Sequence, residues 1–426
     1  MSGQIVKTAL ADGVEGIYIS NPRFKTTRIS VNLIAPMSFE DVSKHAMIPF
    51  LLTRGSRSYP RIIDINRKLA ELYGAGISAG AVKLGDRHLL RMTATVLNDE
   101  YTLNGEAVTA QAGGMLTEML FDPPLERGGF APDRVAQEKR LLLEKIEGEI
   151  NNKRRFAITR CESLMCEGEP YGIPVYGSRE MAEEISASDI YGAWQHLLNT
   201  ASVKIYVIGA TEPSKIFDGF KAAFAGRSRA PKLPENKTLA ARSEPAYKNE
   251  TMEVAQGKLC IGFRTPGAGN GKDLVKLAVM SDMFGGGPYS LLFTNVREKL
   301  GLCYYCAARY NRHKGILMVD SGVEADKAEQ ATDEILRQMD NIRHGEFEDN
   351  ILSASKMGLA DSLRTVPDTP SATEAYYLDG MFDENPMSPE EYAEAIGSVT
   401  KEDIISAAES MKLDTVYFLS GGGEAR

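Results

Sequence analysis

The sequence predicts an α+β chain built from two copies of one domain, and three observations lead there. Apolar residues alternate in strand fashion at Ile29, Val31 and Leu33, then switch to helical spacing at Ile62, Ile65, Leu69, Leu72 and Tyr73. Long helical stretches fit Arg134 to Glu149 and Lys153 to Met165. Finally, a helix that runs into a strand near the middle of the chain is met again at its end.

Taken in order, the first helix stops at Gly74, which accepts the left-handed backbone that closes a helix. Two strands follow, Ile77 to Leu84 and Leu90 to Val96, with Gly85-Asp86 between them as a hairpin signal. The helix from Lys153 carries apolar residues at 157, 158, 161, 164 and 165. Ser188-Asp189-Ile190 then opens a capped helix through Trp194 and Leu198 that leads into the strand Val203 to Gly209. Thr400 to Ile404 caps a second such helix, through Ala408 and Met411, that leads into Thr415 to Gly421. Asp189 and Asp403 stand at matching points of the two segments, which implies a repeat with a period near 214 residues. Residues 226–250 are Pro-rich and charged, without apolar period, which is linker composition. The expected organisation is therefore a domain at 1–225, a linker at 226–250 and a domain at 251–426.

Composition narrows the function. The 426 residues, 43% of them hydrophobic, suffice for two cores. A net charge of −9 offers no field to attract nucleic acid or an anionic membrane. The N-terminal Met1-Ser-Gly-Gln-Ile-Val-Lys7 lacks the pattern of an export signal, and no run approaches the roughly 18 apolar residues of a span. Five cysteines, odd in number and sparse, fit a reducing cytoplasm. Cys303 and Cys306 form a C-x-x-C in a strand-like aromatic run with no second pair at zinc spacing, which favours buried structural thiols.

Registered on Arg54-Gly55, the stretch Ala46-Met-Ile-Pro49-Phe50-Leu-Leu-Thr-Arg54-Gly55 resembles the zinc-motif helix of the pitrilysin/insulinase peptidases, which include mitochondrial processing peptidase. The likeness covers nearly the whole chain. It implies two duplicated domains, each a mainly antiparallel sheet packed with helices. Active members carry H-x-x-E-H here and a further Glu on a later helix: two imidazoles and a carboxylate hold zinc, and the motif's Glu takes a proton from its water. In this sequence Ala46 and Phe50 fall on the histidine positions and Pro49 on that of the base. Glu138 to Lys145 resembles the run that ends on the third ligand, which puts Lys145 there; a slip of one residue would bring Glu144 instead. His45 stands one residue early with no second histidine a turn away, and His88, His196, His313 and His344 show no ligand spacing. No metal and no cofactor are expected.

In the second half, Phe284-Gly-Gly-Gly-Pro288 and Val296-Arg297-Glu-Lys-Leu-Gly301-Leu-Cys-Tyr304 resemble the family's glycine turn and R-E-x-x-G-L-x-Y stretch. The resemblance assigns substrate backbone and oxyanion binding to Arg297 and Tyr304, whose guanidinium and phenol are hydrogen-bond donors. By themselves the two residues fit an exposed salt bridge and a packed strand better; the matching context reverses that preference. The glycine turn lacks the Gly-Lys-Ser/Thr of a nucleotide loop, so close helix–strand packing is its expected use. The strand Gly76-Ile77-Ser78-Ala79-Gly80 matches the family's peptide-binding edge strand and is rich in small residues.

The resemblance is strongest to bacterial non-catalytic members encoded beside an active relative. It implies a cytoplasmic, zinc-less subunit that pairs with a zinc-bearing homologue, or a homodimer, which the fold permits, and that binds peptide for its partner to cut. Two alternatives stand beside this reading: a scaffold without proteolytic role, and an active zinc endopeptidase with a displaced site.

Overall fold

The computed structural model describes residues 5–265, 271–383 and 385–421. In chain order the first half runs β1 Ile5–Ala11, β2 Val14–Ser20, β3 Thr26–Pro36, α1 Val42–Leu52, α2 Ile62–Glu71, β4 Gly76–Leu84, β5 Arg87–Leu97, α3 Val108–Phe121, and the short pair β6 Leu125–Glu126 and β7 Gly129–Phe130. It continues through α4 Pro132–Asn151, α5 Lys153–Met165, α6 Arg179–Glu183, α7 Ala187–Thr200, β8 Ser202–Gly209 and α8 Ser214–Phe224. The second half comprises β9 Ala246–Met252, β10 Gly257–Arg264, α9 Gly271–Gly285, a π-helix Leu292–Lys299, β11 Cys303–Asn311, β12 Ile316–Val323, α10 Ala328–Arg343, α11 Asp349–Arg364, α12 Pro370–Asp379, α13 Pro389–Ser398, α14 Lys401–Ser410 and β13 Lys412–Gly421.

Local chemistry accounts for most boundaries. Helix α2 ends at a Tyr73-Gly74 pair, both with positive φ (59° and 75°), and Gly85 at φ 62° turns β4 into β5. The two repeated helices start on matching capping boxes. Ser186 and Asp189 cap α7, and Thr400 and Asp403 cap α14. The N-cap of α7 is thus Ser186, because its hydroxyl, not that of Ser188, accepts from the Asp189 amide.

The described residues divide into two compact units. One holds those within Met1–Glu147, Ile173–Glu235 and Pro367–Leu378; the other those within Gly148–Gly172, Asn236–Val366 and Asp379–Arg426. The first unit has a six-stranded sheet in the order β1-β2-β8-β3-β5-β4, and the second a five-stranded sheet in the order β11-β12-β10-β13-β9. Pairings are antiparallel except β2 with β8 and β9 with β13. Each unit therefore inserts its last strand in parallel beside an early one, β8 beside β2 and β13 beside β9. The β2-β8-β3-β5-β4 order of one sheet repeats as β9-β13-β10-β12-β11 in the other, which is the signature of a duplication.

Packing, rather than chain order, assigns two segments. Helix α5 lies on β10 and β13, with Ala157, Cys161 and Met165 joining Cys260, Tyr417 and Leu419 in the second unit's core. Residues 367–378 return to the first unit, where Glu374 of α12 is wholly buried. The first unit's own core joins β3, β5 and β8 to α1, α3 and α7 around Ile29, Leu52, Leu116 and Leu197.

Candidate functional site

Helix α1 carries the degenerate motif and packs on β4, β5 and α7. Ala46 is completely buried, Pro49 is buried and Phe50 is half-buried. Pro49 has no N–H, so the His45 carbonyl lacks its helical partner, yet the following turn closes through Thr53, whose amide and hydroxyl both bond to the Pro49 carbonyl. On α4, Glu138 and Lys145 stand seven residues apart, about two turns, and so face the same way. The Lys145 ammonium lies 4.6 Å from the centre of the Phe50 ring and 5.9 Å from that of Tyr176. Below it the buried Glu138 accepts a 2.8 Å bond from Arg54 Nε. Phe50, Arg54, Glu138 and Lys145 line a cavity of about 400 Å³ together with Met47, Leu141, Leu142 and Glu144.

The structure thus brings Phe50 and Lys145, assigned to the second and third ligand positions, into contact. The donor set does not fit zinc. Alanine and phenylalanine offer no lone pair, a lysine ammonium repels a cation, and the neighbouring Glu144 carboxylate is held by Arg140 at 2.7 Å. Instead of a metal, the cavity is bridged by a cation–π contact. His45 lies on another side of α1, its ring 6.3 Å from that of His88 on β5. Among the described residues, no group of three or more His, Cys, Asp or Glu side chains is placed to hold a metal ion.

Strand β4, with Gly76 to Gly80, is an edge strand whose neighbour in the sheet is β5. Gly76 and Ser78 are exposed, Ile77, Ala79 and Gly80 half-buried. A Cβ added at Gly76 or Gly80 would meet nothing within 4 Å, so another backbone has room to approach.

In the second unit, Arg297 belongs to the π-helix, a form in which one extra residue per turn re-aims side chains. Its guanidinium lies 4.6 Å from the centre of the Phe293 ring and makes a loose 3.6 Å pair with Glu298. Tyr304 is 64% exposed and donates to Glu324 Oε1 at 3.1 Å, which raises its pKa. The ladder explains the exposure. Cys303 pairs with Val323 and Tyr305 with Gly322, so Tyr304 is the extra residue of a β-bulge, turned out of the sheet. The glycine turn serves packing as its sequence implied: a Cβ on Gly285 would stand 2.5 Å from the Ala308 amide nitrogen of β11. Arg297 and Tyr304 thus stand on consecutive elements, each beside its own carboxylate; among the described residues no hydrogen bond joins the two.

The bulge also corrects the expectation for the C-x-x-C. Cys306 is buried, but Cys303 is only partly so. Other elements gave no sequence signal. Glu374 pairs with Arg28 and accepts from Ser30, stands 3.5 Å from Arg91 and 3.3 Å from Asn32 Nδ2. Burial pushes its pKa up, but Arg91 and Arg28 outweigh that and hold it below the usual carboxylate value.

Comparison with known proteins decides the lineage. The chain is 31% identical over 409 residues, 96% of both chains, to the probable inactive metalloprotease YmfF of Bacillus subtilis. This chain belongs to the M16 peptidase family. Residues 184–359 match the Peptidase M16 inactive domain. A conserved protein from Enterococcus faecalis superposes on this M16 chain with a TM-score of 0.92 at 26% identity, covering 99% of this chain and all of the other. A peptidase M16 inactive domain from Pseudomonas fluorescens shares the fold, with a TM-score of 0.80 at 17% identity over 99% of both chains.

Proposed function

We propose that this M16 chain is the non-catalytic, peptide-binding subunit of a two-chain zinc peptidase. The observation that carries the reading is the Lys145–Phe50 contact in the place of a metal site, on a fold whose edge strand β4 keeps an open, small-residue backbone. A zinc-bearing homologue supplies metal and general base. This chain supplies a wall of the chamber, an edge on which an extended peptide can pair through its main chain, and two hydrogen-bond donors, Arg297 and Tyr304. Tyr304 is suited to the task because its bulge leaves the phenol outside the sheet, and Arg297 because its ion pair is loose enough to exchange for a peptide carbonyl.

The chain alone should cleave no peptide, and mixing it with the zinc-bearing M16 homologue of the same cell should restore activity. In that mixture Arg297→Ala and Tyr304→Phe should each lower kcat/KM about a hundredfold or more, the scale of losing one oxyanion donor. Wild-type rates from both variants would remove the roles assigned to these residues. A homologue fully active without this chain would favour the scaffold alternative.

A further inference from the structure

The C-x-x-C of β11 has a geometry that a regular strand would deny it. Residues three apart on an unbroken strand point to opposite faces. Here Cys303 opposes Val323 and Cys306 opposes Ser321, two residues apart on β12, so both thiols share one face. The bulge at Tyr304 shortens the path between them to that of two strand residues, about 6.6 Å, at the upper end of the roughly 4.4–6.8 Å that a disulfide spans between Cα atoms.

The register therefore sets the two thiols next to each other on that face, with no residue of their own strand between them on it. Cys303 is partly exposed and Cys306 is buried behind it, an arrangement of attacking and resolving thiols. The neighbouring Cys306 thiol, with smaller help from Ser321 and the Arg297 charge and against the burial of Cys303 itself, lowers the Cys303 pKa to about 7. The Cys303 thiol, burial and the nearby Asp320 raise that of Cys306. The remaining cysteines differ: burial raises the pKa of Cys161, Cys166 and Cys260, and leaves them inert at neutral pH.

We propose that Cys303 and Cys306 are a redox-active dithiol that closes to a disulfide across Tyr304, with a small disulfide of the glutathione class as oxidant. The Cys303 thiolate attacks one sulfur of the oxidant, forms a mixed disulfide and releases the first small thiolate, which takes a proton from water. Cys306 gives its proton to solvent, and its sulfur attacks that of Cys303, breaking the mixed disulfide and releasing the second small thiol. Two protein thiols lose two electrons, and one small disulfide becomes two thiols. Closure holds the bulge rigid, so that Tyr304 cannot turn from Glu324 toward a peptide carbonyl; this consequence for peptide cleavage rests on the function proposed above.

The test uses the full chain. At pH 7, iodoacetamide should modify Cys303 at least ten times faster than Cys161, Cys166 or Cys260, read by mass spectrometry of peptides. After equilibration with oxidised glutathione, the peptide spanning 303–306 should lose two hydrogens and regain them with dithiothreitol. Cys306→Ser should stop at the glutathione adduct, and Cys303→Ser should not react. A wild-type chain that keeps all thiols free, or that stops at the adduct, overturns the proposal. In the mixed complex the oxidised chain should lower kcat/KM about tenfold, and equal rates from the two forms would overturn the link to Tyr304. A complex inactive with either form counts against the peptide-binding reading, because the mass measurement requires no peptide.

Discussion

Acid should destabilise this protein before its carboxylates titrate, through His45 and His88. The two rings are 4% and 0% exposed, lie 6.3 Å apart, and none of their four nitrogens completes a hydrogen bond; the Val175 backbone near His88 opposes the shift only weakly. Burial lowers the His45 pKa from 6.5 to about 4; Asp41 pulls the other way, and His196 and Lys44 add to the lowering. Burial lowers that of His88 to about 3, helped by the His45 and Lys83 charges. Both are therefore neutral in the fold, while the unfolded chain takes up protons near pH 6.5. Stability is full above that value and is lost as the pH falls toward the folded pKa values. At pH 5 each histidine costs roughly 2 kcal/mol, so the pair removes roughly 4 kcal/mol between pH 7.5 and 5. Against the 5–15 kcal/mol typical of a folded domain, that is a large fraction. Urea unfolding at several pH values measures it, with a His45→Met/His88→Met variant as the flat control, since methionine adapts to irregular cavities and does not titrate. A wild-type slope equal to that of the double variant over this range would refute the reasoning.

Three further outcomes follow from the same contacts. Glu374→Ala leaves Arg28 and Arg91 facing a buried void and should lower stability by about 3–5 kcal/mol in urea; a loss below 1 kcal/mol would show that water replaces the carboxylate. Gly285→Ala drives a Cβ to 2.5 Å from the β11 backbone; it should cost about 1–3 kcal/mol and weaken peptide binding by displacing the strand that bears Tyr304, so an unchanged melting temperature speaks against the close packing. Restoring the donors with Ala46→His, Pro49→Glu, Phe50→His and Lys145→Glu should let the chain retain about one zinc where the wild type retains none, by elemental analysis. A zinc-free quadruple variant that remains folded would show that the register placing Phe50 opposite Lys145 does not make a metal site.

Much of this protein is local and therefore readable from the sequence. The capping residues Asp189 and Asp403 expose the duplication because a capping box is a contact over three residues. That Ala46 and Phe50 cannot donate to zinc is legible because donor chemistry is a property of residue type: no fold gives either a lone pair to donate. The strand containing Gly76 to Gly80 and its hairpin partner are likewise settled by alternation and by a glycine turn.

The remainder depends on which distant elements meet. Alternation identifies β4 as a strand, but it is the order of the whole sheet that leaves it at an edge. Nothing near Glu374 in sequence foretells Arg28 and Arg91, because a carboxylate is buried only where folding supplies its counter-charges. The same holds for α5, which lies in the first half of the chain and packs on β10 and β13. Tyr304 and Cys303 owe their exposure to one inserted residue in the pairing of β11 with β12, a register that belongs to two strands at once and is written in neither alone.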